Sequence, residues 1–218
     1  MASIRTGLFG TYYGSLYLSS EYLSTAEMET NARYINKYFL NNGWSQNAIA
    51  GMLGNMQAES GFNPGIWQSN DVGNTSGGFG LVQWTPATKY FEWCESRNLS
   101  DPSEMDNNLA RIQYEVDNGL QWITRDDYPI SFKQFATSNQ SVSYLAKAFL
   151  LNYERPADQS IEKQNLRASY AENWYMFLTG QTPGSGGDSP GSGSIVVAMP
   201  KRNKYNFVLF NRRRRMYQ

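Results

Sequence analysis

The sequence of 218 residues contains no histidine and a single cysteine, Cys94. Nucleophilic catalysis by a serine or cysteine paired with histidine is therefore excluded, and so are the usual zinc sites, which use histidine or several cysteines. One cysteine cannot form an internal disulfide. We interpret Cys94 as a small, half-buried packing residue, and we expect neither a metal nor another cofactor. We therefore do not expect a peptidase or amidase of the ordinary zinc or cysteine-histidine type.

The sequence also lacks long hydrophobic runs. No apolar segment approaches the ~18 residues that a membrane-spanning helix needs. The first 20 residues are interrupted by Gly, Ser and Tyr, unlike the hydrophobic region of a secretory signal. We expect a protein without a membrane span that is synthesised in a cytoplasm without a signal peptide.

What the sequence does contain is a series of helix signals. Ser24 and Glu27 stand at capping-box spacing, and Ser45 precedes apolar residues that recur with helical period. Thr85 followed by Pro86 is a helix start with proline at the first helical position. These and similar signals predict helices over residues 24–41, 45–60, 85–98, 103–116, 142–154 and 160–178. The chain is therefore predicted to be mostly α, with a smaller β contribution.

Glu59 is the strongest candidate for chemistry. It lies seven residues after Met52, close to two helical turns, so its carboxyl belongs to the apolar face of the predicted helix. Burial and the negative end of the helix dipole both favour the neutral form of a carboxyl. A neutral carboxyl that faces a cleft can act as a general acid.

The segment after Glu59 is rich in aromatic rings and amides. Trp67, Phe79 and Trp84 alternate with Gln83 and with further Asn and Gln residues at positions 63, 68, 70 and 74. Ring faces together with amide hydrogen-bonding groups favour the binding of a neutral polymeric sugar. We therefore predict a sugar-binding cleft beside Glu59.

Two short motifs carry a resemblance to known proteins. The segments 57–60, QAES, and 80–84, GLVQW, resemble the glutamate-serine and glycine-leucine-x-glutamine motifs of goose-type lysozymes and lytic transglycosylases. More closely, residues 31–178 resemble the phage tail lysozyme family, which has segments similar to GMLGNMQAES, NPGIWQ, GFGLVQWTP and YERP. That family comprises muralytic proteins at the tail tip or tail knob of short-tailed phages that infect Gram-positive bacteria.

The resemblance implies a lysozyme-like fold in which a small β-hairpin lobe lies beside the helical lobe. We place the hairpin between Gly61 and Thr85, where glycines mark turns, and the cleft between the two lobes. The implied activity is cleavage of the β-1,4 bond between N-acetylmuramic acid and N-acetylglucosamine, with Glu59 as general acid and Gln83 hydrogen-bonded to the glycan. Tyr153, in the YERP segment, is implied to line the site.

The sequence offers a second carboxyl only by position. Glycosidases commonly use two carboxyls, and Asp71 is the best candidate because it lies in the polar loop, where solvent favours its charged form. Glu154 and Arg155 are interpreted instead as an ion pair at a helix end. Goose-type lysozymes and lytic transglycosylases rely chiefly on one glutamate, so hydrolysis and transglycosylation both stay open. The alternative is a catalytically inactive tail structural or peptidoglycan-binding protein.

The charges indicate more than one region. The formal net charge is zero, but all 19 acidic residues precede Pro200 and seven of the 19 basic residues follow it. We predict an N-terminal extension (1–23, either a strand pair or an arm on a partner), a lysozyme-like domain (24–179), a flexible Gly/Ser/Pro linker (180–194) and a basic segment (195–218). The basic segment is too short for a core of its own, so we expect it to dock on a partner or to begin a further domain. In a longer parent chain, that domain could cut peptides.

The basic tail ends in four adjacent arginines, Arg212 to Arg215. Such a run would bind phosphates, but no stacking-rich fold accompanies it, so a nucleic-acid partner is disfavoured. Anionic wall polymer or other phage tail and knob proteins fit better. The resemblance implies a virion protein at the tail tip or tail knob that opens the host cell wall for DNA entry.

Overall fold

The computed structural model describes residues 3–6, 15–18 and 22–183. The basic segment 195–218 and most of the predicted linker lie outside the described residues. Two short strands, β1 (Ser3–Thr6) and β2 (Ser15–Leu18), pair antiparallel, with Ser3 opposite Leu18 and Thr6 opposite Ser15. Of the two alternatives for the N-terminal extension, the strand pair is the one found.

The rest of the described chain is mostly helical, which confirms the mostly α prediction. Two short helical turns of other kinds also occur. They are a 3-10 turn at Gln68–Asn70 and a π turn at Phe149–Glu154. The α-helices are α1 (Thr25–Asn41), α2 (Gln46–Glu59), α3 (Thr88–Glu95), α4 (Met105–Asn118), α5 (Phe132–Ala136), α6 (Val142–Ala148) and α7 (Ile161–Thr179). No helix among the described residues is long and apolar enough to cross a bilayer.

Side-chain caps fix where the first two helices begin. The Ser24 backbone N–H donates to Glu27 Oε2 at 2.6 Å, and the Glu27 backbone N–H donates to Ser24 Oγ, so the predicted capping box is present. The Ala48 N–H donates to Ser45 Oγ at 3.0 Å at the start of α2. The predicted start, with Pro86 as the first helical residue, was wrong by two residues, since α3 begins at Thr88.

Helix α2 is the centre of the fold and packs against α1, α6 and α7. The closest approach is at Gly54, where an added Cβ would lie 2.4 Å from the Arg167 carbonyl oxygen and 2.7 Å from the Ala171 Cβ. Any larger residue would force α7 away from α2. Glycine at this position therefore brings Arg167 of α7 beside the C-terminal turn of α2, where Glu59 lies.

The predicted β-hairpin lobe was wrong. Residues 61–87 form turns, the 3-10 turn and two isolated bridges, Trp67 with Phe79 and Phe79 with Trp84, and no strand occurs between 22 and 183. A β ladder needs extended backbone, but several residues here have positive φ, among them Phe62 and Ser69. Side-chain amides also replace ladder partners, as where the Gly78 N–H donates to Gln68 Oε1 at 2.8 Å.

Candidate active site

A cavity of about 770 Å³ lies between two walls of different composition. One wall, which we call the helical wall, comprises the end of α2, the π turn with the residues after it, and the first half of α7. The other, the loop wall, is formed by residues 66–69, 74–77 and 82–85. Of the candidate residues predicted from the sequence, the lining contains Glu59, Trp67, Gln83, Trp84 and Tyr153.

Glu59 ends α2 and directs its carboxyl into the cavity, as its helical position predicts. Its Oε1 accepts a hydrogen bond from Arg167 Nη2 at 2.7 Å, with 21% of the Glu59 side chain and 10% of the Arg167 side chain exposed. Arg167 Nη1 also donates to the Asn55 carbonyl oxygen at 2.7 Å. The sequence predicted apolar surroundings for Glu59 and did not reveal the cation beside it. A guanidinium and a carboxylate form a strong, charge-assisted hydrogen bond.

Glu154 provides a second carboxyl in the helical wall. It is the last residue of the π turn, and its Oε1 is buried with no hydrogen-bond partner among the described residues. Burial, and next the charge of Glu59, raise the pKa of Glu154 well above its ordinary value, while Arg167 acts in the opposite direction. These surroundings shift the carboxyl toward its neutral form.

The predicted ion pair between Glu154 and Arg155 was wrong. Arg155 Nη1 instead donates to the carbonyl oxygens of Gln121, at 2.5 Å, and Asn152, at 2.6 Å. The Arg155 backbone has positive φ, +48°, which turns the chain sharply after Glu154. The cation is therefore used to fix the backbone.

Tyr153 and Trp84 meet at a buried carboxylate below the cavity. Glu115, 1% exposed, accepts hydrogen bonds from Tyr153 Oη at 2.5 Å, Trp84 Nε1 at 3.1 Å and Arg111 Nε at 2.8 Å. Three donors on one carboxylate fix both ring orientations. Glu115 thus positions two cavity residues that come from opposite walls.

The loop wall carries uncharged recognition groups. Trp67 is partly exposed and packs edge-on against Phe79, with ring centroids 4.9 Å apart. Gln83 has a positive φ, +49°, and its Nε2 donates to the Gly80 carbonyl oxygen at 2.9 Å and the Ile66 carbonyl oxygen at 3.2 Å. These bonds hold the Gln83 amide at the cavity before any ligand arrives.

Two predicted site residues lie away from the cavity. Phe79 is 3% exposed and packs behind Trp67, so it supports that ring from the core. Asp71 is exposed on the outer loop, where its Oδ2 accepts a hydrogen bond from Asn74 Nδ2 at 2.9 Å. Neither residue belongs to the lining.

Buried polar side chains tie the loop wall to the helices. Ser60, directly after Glu59, donates its hydroxyl to the Leu81 carbonyl oxygen at 2.8 Å. Asn108 of α4, fully buried, accepts from the Leu81 N–H at 3.0 Å and donates to the Pro102 carbonyl oxygen at 3.0 Å. The glutamate-serine and GLVQW motifs are therefore adjacent in space, as their co-occurrence suggests.

Sequence reasoning missed Glu154, Arg167 and Glu115. The small residues Gly54 and Ala171 are the signal that places α7 against α2, but they do not identify which side chain of α7 meets Glu59. Cys94 is buried, and burial raises the pKa of its thiol, in keeping with a packing role. No cluster of three or more potential metal-ligating residues occurs within 22–183.

The chain is similar to known proteins over most of its length. The family model for phage tail lysozyme matches residues 30–178, more than half of the chain. Morphogenesis protein 1 of Bacillus phage B103 is 53% identical over 170 residues, which are 78% of this chain and 44% of that protein. The chain therefore spans less than half the length of this relative.

Proposed function

Because the chain belongs to the phage tail lysozyme family, we propose that it is a glycosidase that cleaves the β-1,4 bond between N-acetylmuramic acid and N-acetylglucosamine in peptidoglycan. The observation that carries the proposal is the pairing of walls: the Glu59 carboxyl faces a wall of neutral amide and aromatic groups across a cavity of about 770 Å³. Such a site holds a glycan strand by its uncharged face and presents one bond to a carboxyl.

In this mechanism, Glu59 gives a proton to the glycosidic oxygen as the bond to the anomeric carbon breaks. Gln83 hydrogen-bonds the glycan, and the Trp67 ring supports a sugar face. Trp84 and Tyr153, both almost fully buried, support the lining of the cavity from below. Water then attacks the sugar cation in a hydrolase, whereas the sugar's own hydroxymethyl oxygen attacks in a lytic transglycosylase. Asp71 takes no part in these steps.

We place the protein in the virion, at the tail tip or tail knob, after synthesis in the host cytoplasm. There it would open the host wall locally for DNA entry. Its partners would be glycan strands and other tail or knob proteins, with the basic segment 195–218 as the region that contacts a partner or continues into a further domain. The relative from phage B103 is named for morphogenesis, which fits a protein built into the particle.

The competing function is a tail structural or wall-binding protein that kept the fold and lost the chemistry. The ion pair between Glu59 and Arg167 favours it, because Arg167 occupies one oxygen of the carboxyl that would have to donate the proton. It predicts binding to purified peptidoglycan without release of sugar ends.

The test is clearance of a suspension of Gram-positive cell walls by the wild type and by Glu59→Gln. Glutamine keeps an acceptor for Arg167 but has no proton to give, so the rate should fall ~10²-fold or more. Glu95→Gln, at an exposed position on α3, is the matched control and should clear walls normally. An active Glu59→Gln protein would contradict the proposal, and a wild type that binds walls without releasing sugar would establish the competing function.

A further inference from the structure

The ion pair in the helical wall raises a question about where the catalytic proton resides. Arg167 Nη2 lies 2.7 Å from Glu59 Oε1, and a guanidinium does not give up its proton in proteins. It therefore occupies one oxygen of the Glu59 carboxylate. For Glu59 to act as a general acid, a proton has to reach it from another group near the cavity.

The backbone around Glu154 has an unusual conformation. The helix that runs through Val142–Ala148 widens into the π turn Phe149–Glu154, and the next residue, Arg155, is left-handed. Single π turns and left-handed non-glycine residues are found preferentially at functional sites, and they persist where the surrounding structure fixes them. Here the fixing contacts are the two bonds from Arg155 to the carbonyl oxygens of Gln121 and Asn152.

The carboxyl of Glu154 is matched to charged groups from three other elements. Glu59 of α2 and Glu115 of α4 act on it as negative charges, and Arg167 of α7 acts as a positive charge, together with its own neighbour Arg155. Its Oε1 is inaccessible and makes no hydrogen bond among the described residues, although the residue lines the cavity. Glu59, Glu154 and Arg167 all line this cavity, and Arg167 is hydrogen-bonded to Glu59. Two neighbouring carboxyls with one bound cation favour a single proton between them.

We propose that Glu154 is a positioning residue that stores the proton which Glu59 delivers to the glycosidic oxygen. This inference rests on the proposed function. In the resting site, Glu154 is neutral and Glu59 is charged against Arg167. The proton passes from Glu154 to Glu59, Arg167 then faces the newly charged Glu154, and the net charge of the three groups stays zero throughout.

The number of protons on the two carboxyls is restored after one turnover. Glu59 protonates the leaving oxygen as the bond between that oxygen and the anomeric carbon breaks, and both carboxyls are then charged. The attacking group, a water or the sugar's hydroxymethyl, loses one proton as its oxygen bonds to the anomeric carbon. That proton returns to the carboxyl pair and restores neutral Glu154.

The first test is the pH dependence of glycan cleavage in Glu154→Gln. Without the stored proton, Glu59 has to take its proton from solvent against the field of Arg167. The rate at neutral pH should fall about tenfold or more, and the alkaline limb should move to lower pH by on the order of one unit. Glu162→Gln, at an exposed position on α7, removes the same charge and should leave the profile unchanged. A folded Glu154→Gln protein with the wild-type profile overturns the proposal.

The second test does not need activity or the variant's stability. The infrared spectrum of the wild type at neutral pH should contain the carbonyl band of a protonated carboxylic acid that Glu154→Gln lacks. A wild type without any such band overturns the proposal whatever the variant does. Because this readout is independent of turnover, it separates failure of the proton store from failure of the proposed glycosidase function, which Glu59→Gln tests.

Discussion

The helical wall and the loop wall of the cavity are constructed in different ways. The helical wall places ionisable side chains by helix packing, with Gly54 setting the distance between α2 and α7. The loop wall is irregular backbone, held by side-chain hydrogen bonds to the adjoining main-chain groups of Gly78 and Leu81. One wall thus carries charge and the other carries neutral recognition groups.

The difference teaches which properties each wall controls. A charged group in a packed wall has a fixed electrostatic environment, so its protonation can be tuned by neighbours. An irregular wall can present amides and rings at angles that regular structure does not provide. We expect substitutions in the helical wall to alter the rate and its pH dependence, and substitutions in the loop wall to alter substrate binding.

The largest effect should come from Arg167→Met in the helical wall. Removing the guanidinium deprives Glu59 of its ion-pair partner and removes the bond to the Asn55 carbonyl oxygen. Breaking a partly buried pair should lower the free energy of unfolding by roughly 2–3 kcal/mol and abolish most wall clearance. Urea unfolding and wall clearance measure the two effects. Arg167→Lys keeps the charge, so its stability and its rate of wall clearance should lie between those of the wild type and Arg167→Met. Equal stability and clearance in all three proteins would contradict the role of the pair.

A smaller loss should follow from Asn108→Ala, which detaches the loop wall. The Leu81 N–H and several carbonyl oxygens would lose a buried partner, at a cost of about 2 kcal/mol of folding stability. Affinity for soluble glycan fragments should weaken more than the rate at saturating substrate. The control is Asn118→Ala, at an exposed position on the same helix. Normal glycan affinity in Asn108→Ala would show that the loop wall does not need this anchor.

The next effect concerns stability as a function of pH. The pKa of Glu154 in the folded protein is raised well above the ordinary value of 4.5, so the folded state binds more protons than the unfolded state as pH rises above about that value. The contribution of Glu154 to the free energy of unfolding is fully present below the ordinary pKa. It is lost as pH increases toward the raised pKa. Wild type should therefore lose stability relative to Glu154→Gln as pH rises in urea titrations. Parallel curves would show that Glu154 is charged in the folded state.

The smallest effect is expected from Asp71→Asn. Asp71 is exposed and bonds Asn74 on the outer loop, so its charge is screened by solvent. Wall clearance should change by less than about twofold, compared with the large loss in Glu154→Gln. A loss as large as that of Glu59→Gln would instead make Asp71 the second carboxyl.

Local signals were sufficient to predict much of the fold. The caps at Ser24 and Ser45 form as their side chains require, and the apolar period of α2 correctly turned Glu59 toward the interior. The hairpin between Gly61 and Thr85 failed because glycines and amides there support positive-φ turns rather than extended pairs. Turn residues limit where a strand can lie but do not establish that one forms.

The charged part of the site was beyond sequence reasoning for a physical reason. Arg167 is 108 residues from Glu59 along the chain, and no local pattern specifies which α7 side chain meets α2. Glu154 seemed paired with its neighbour Arg155, but the π turn and the left-handed residue after it separate the two groups. Tertiary packing decided both contacts.

The measurement that tests the central claim most directly is mass spectrometry of the soluble fragments released from Gram-positive peptidoglycan by the wild type and by Glu59→Gln. We predict glycan fragments with new muramic ends from the wild type and almost none from the variant. Reducing ends would identify a hydrolase, and anhydro ends a lytic transglycosylase. Absence of glycan cleavage by the wild type, or equal cleavage by both proteins, would contradict the account.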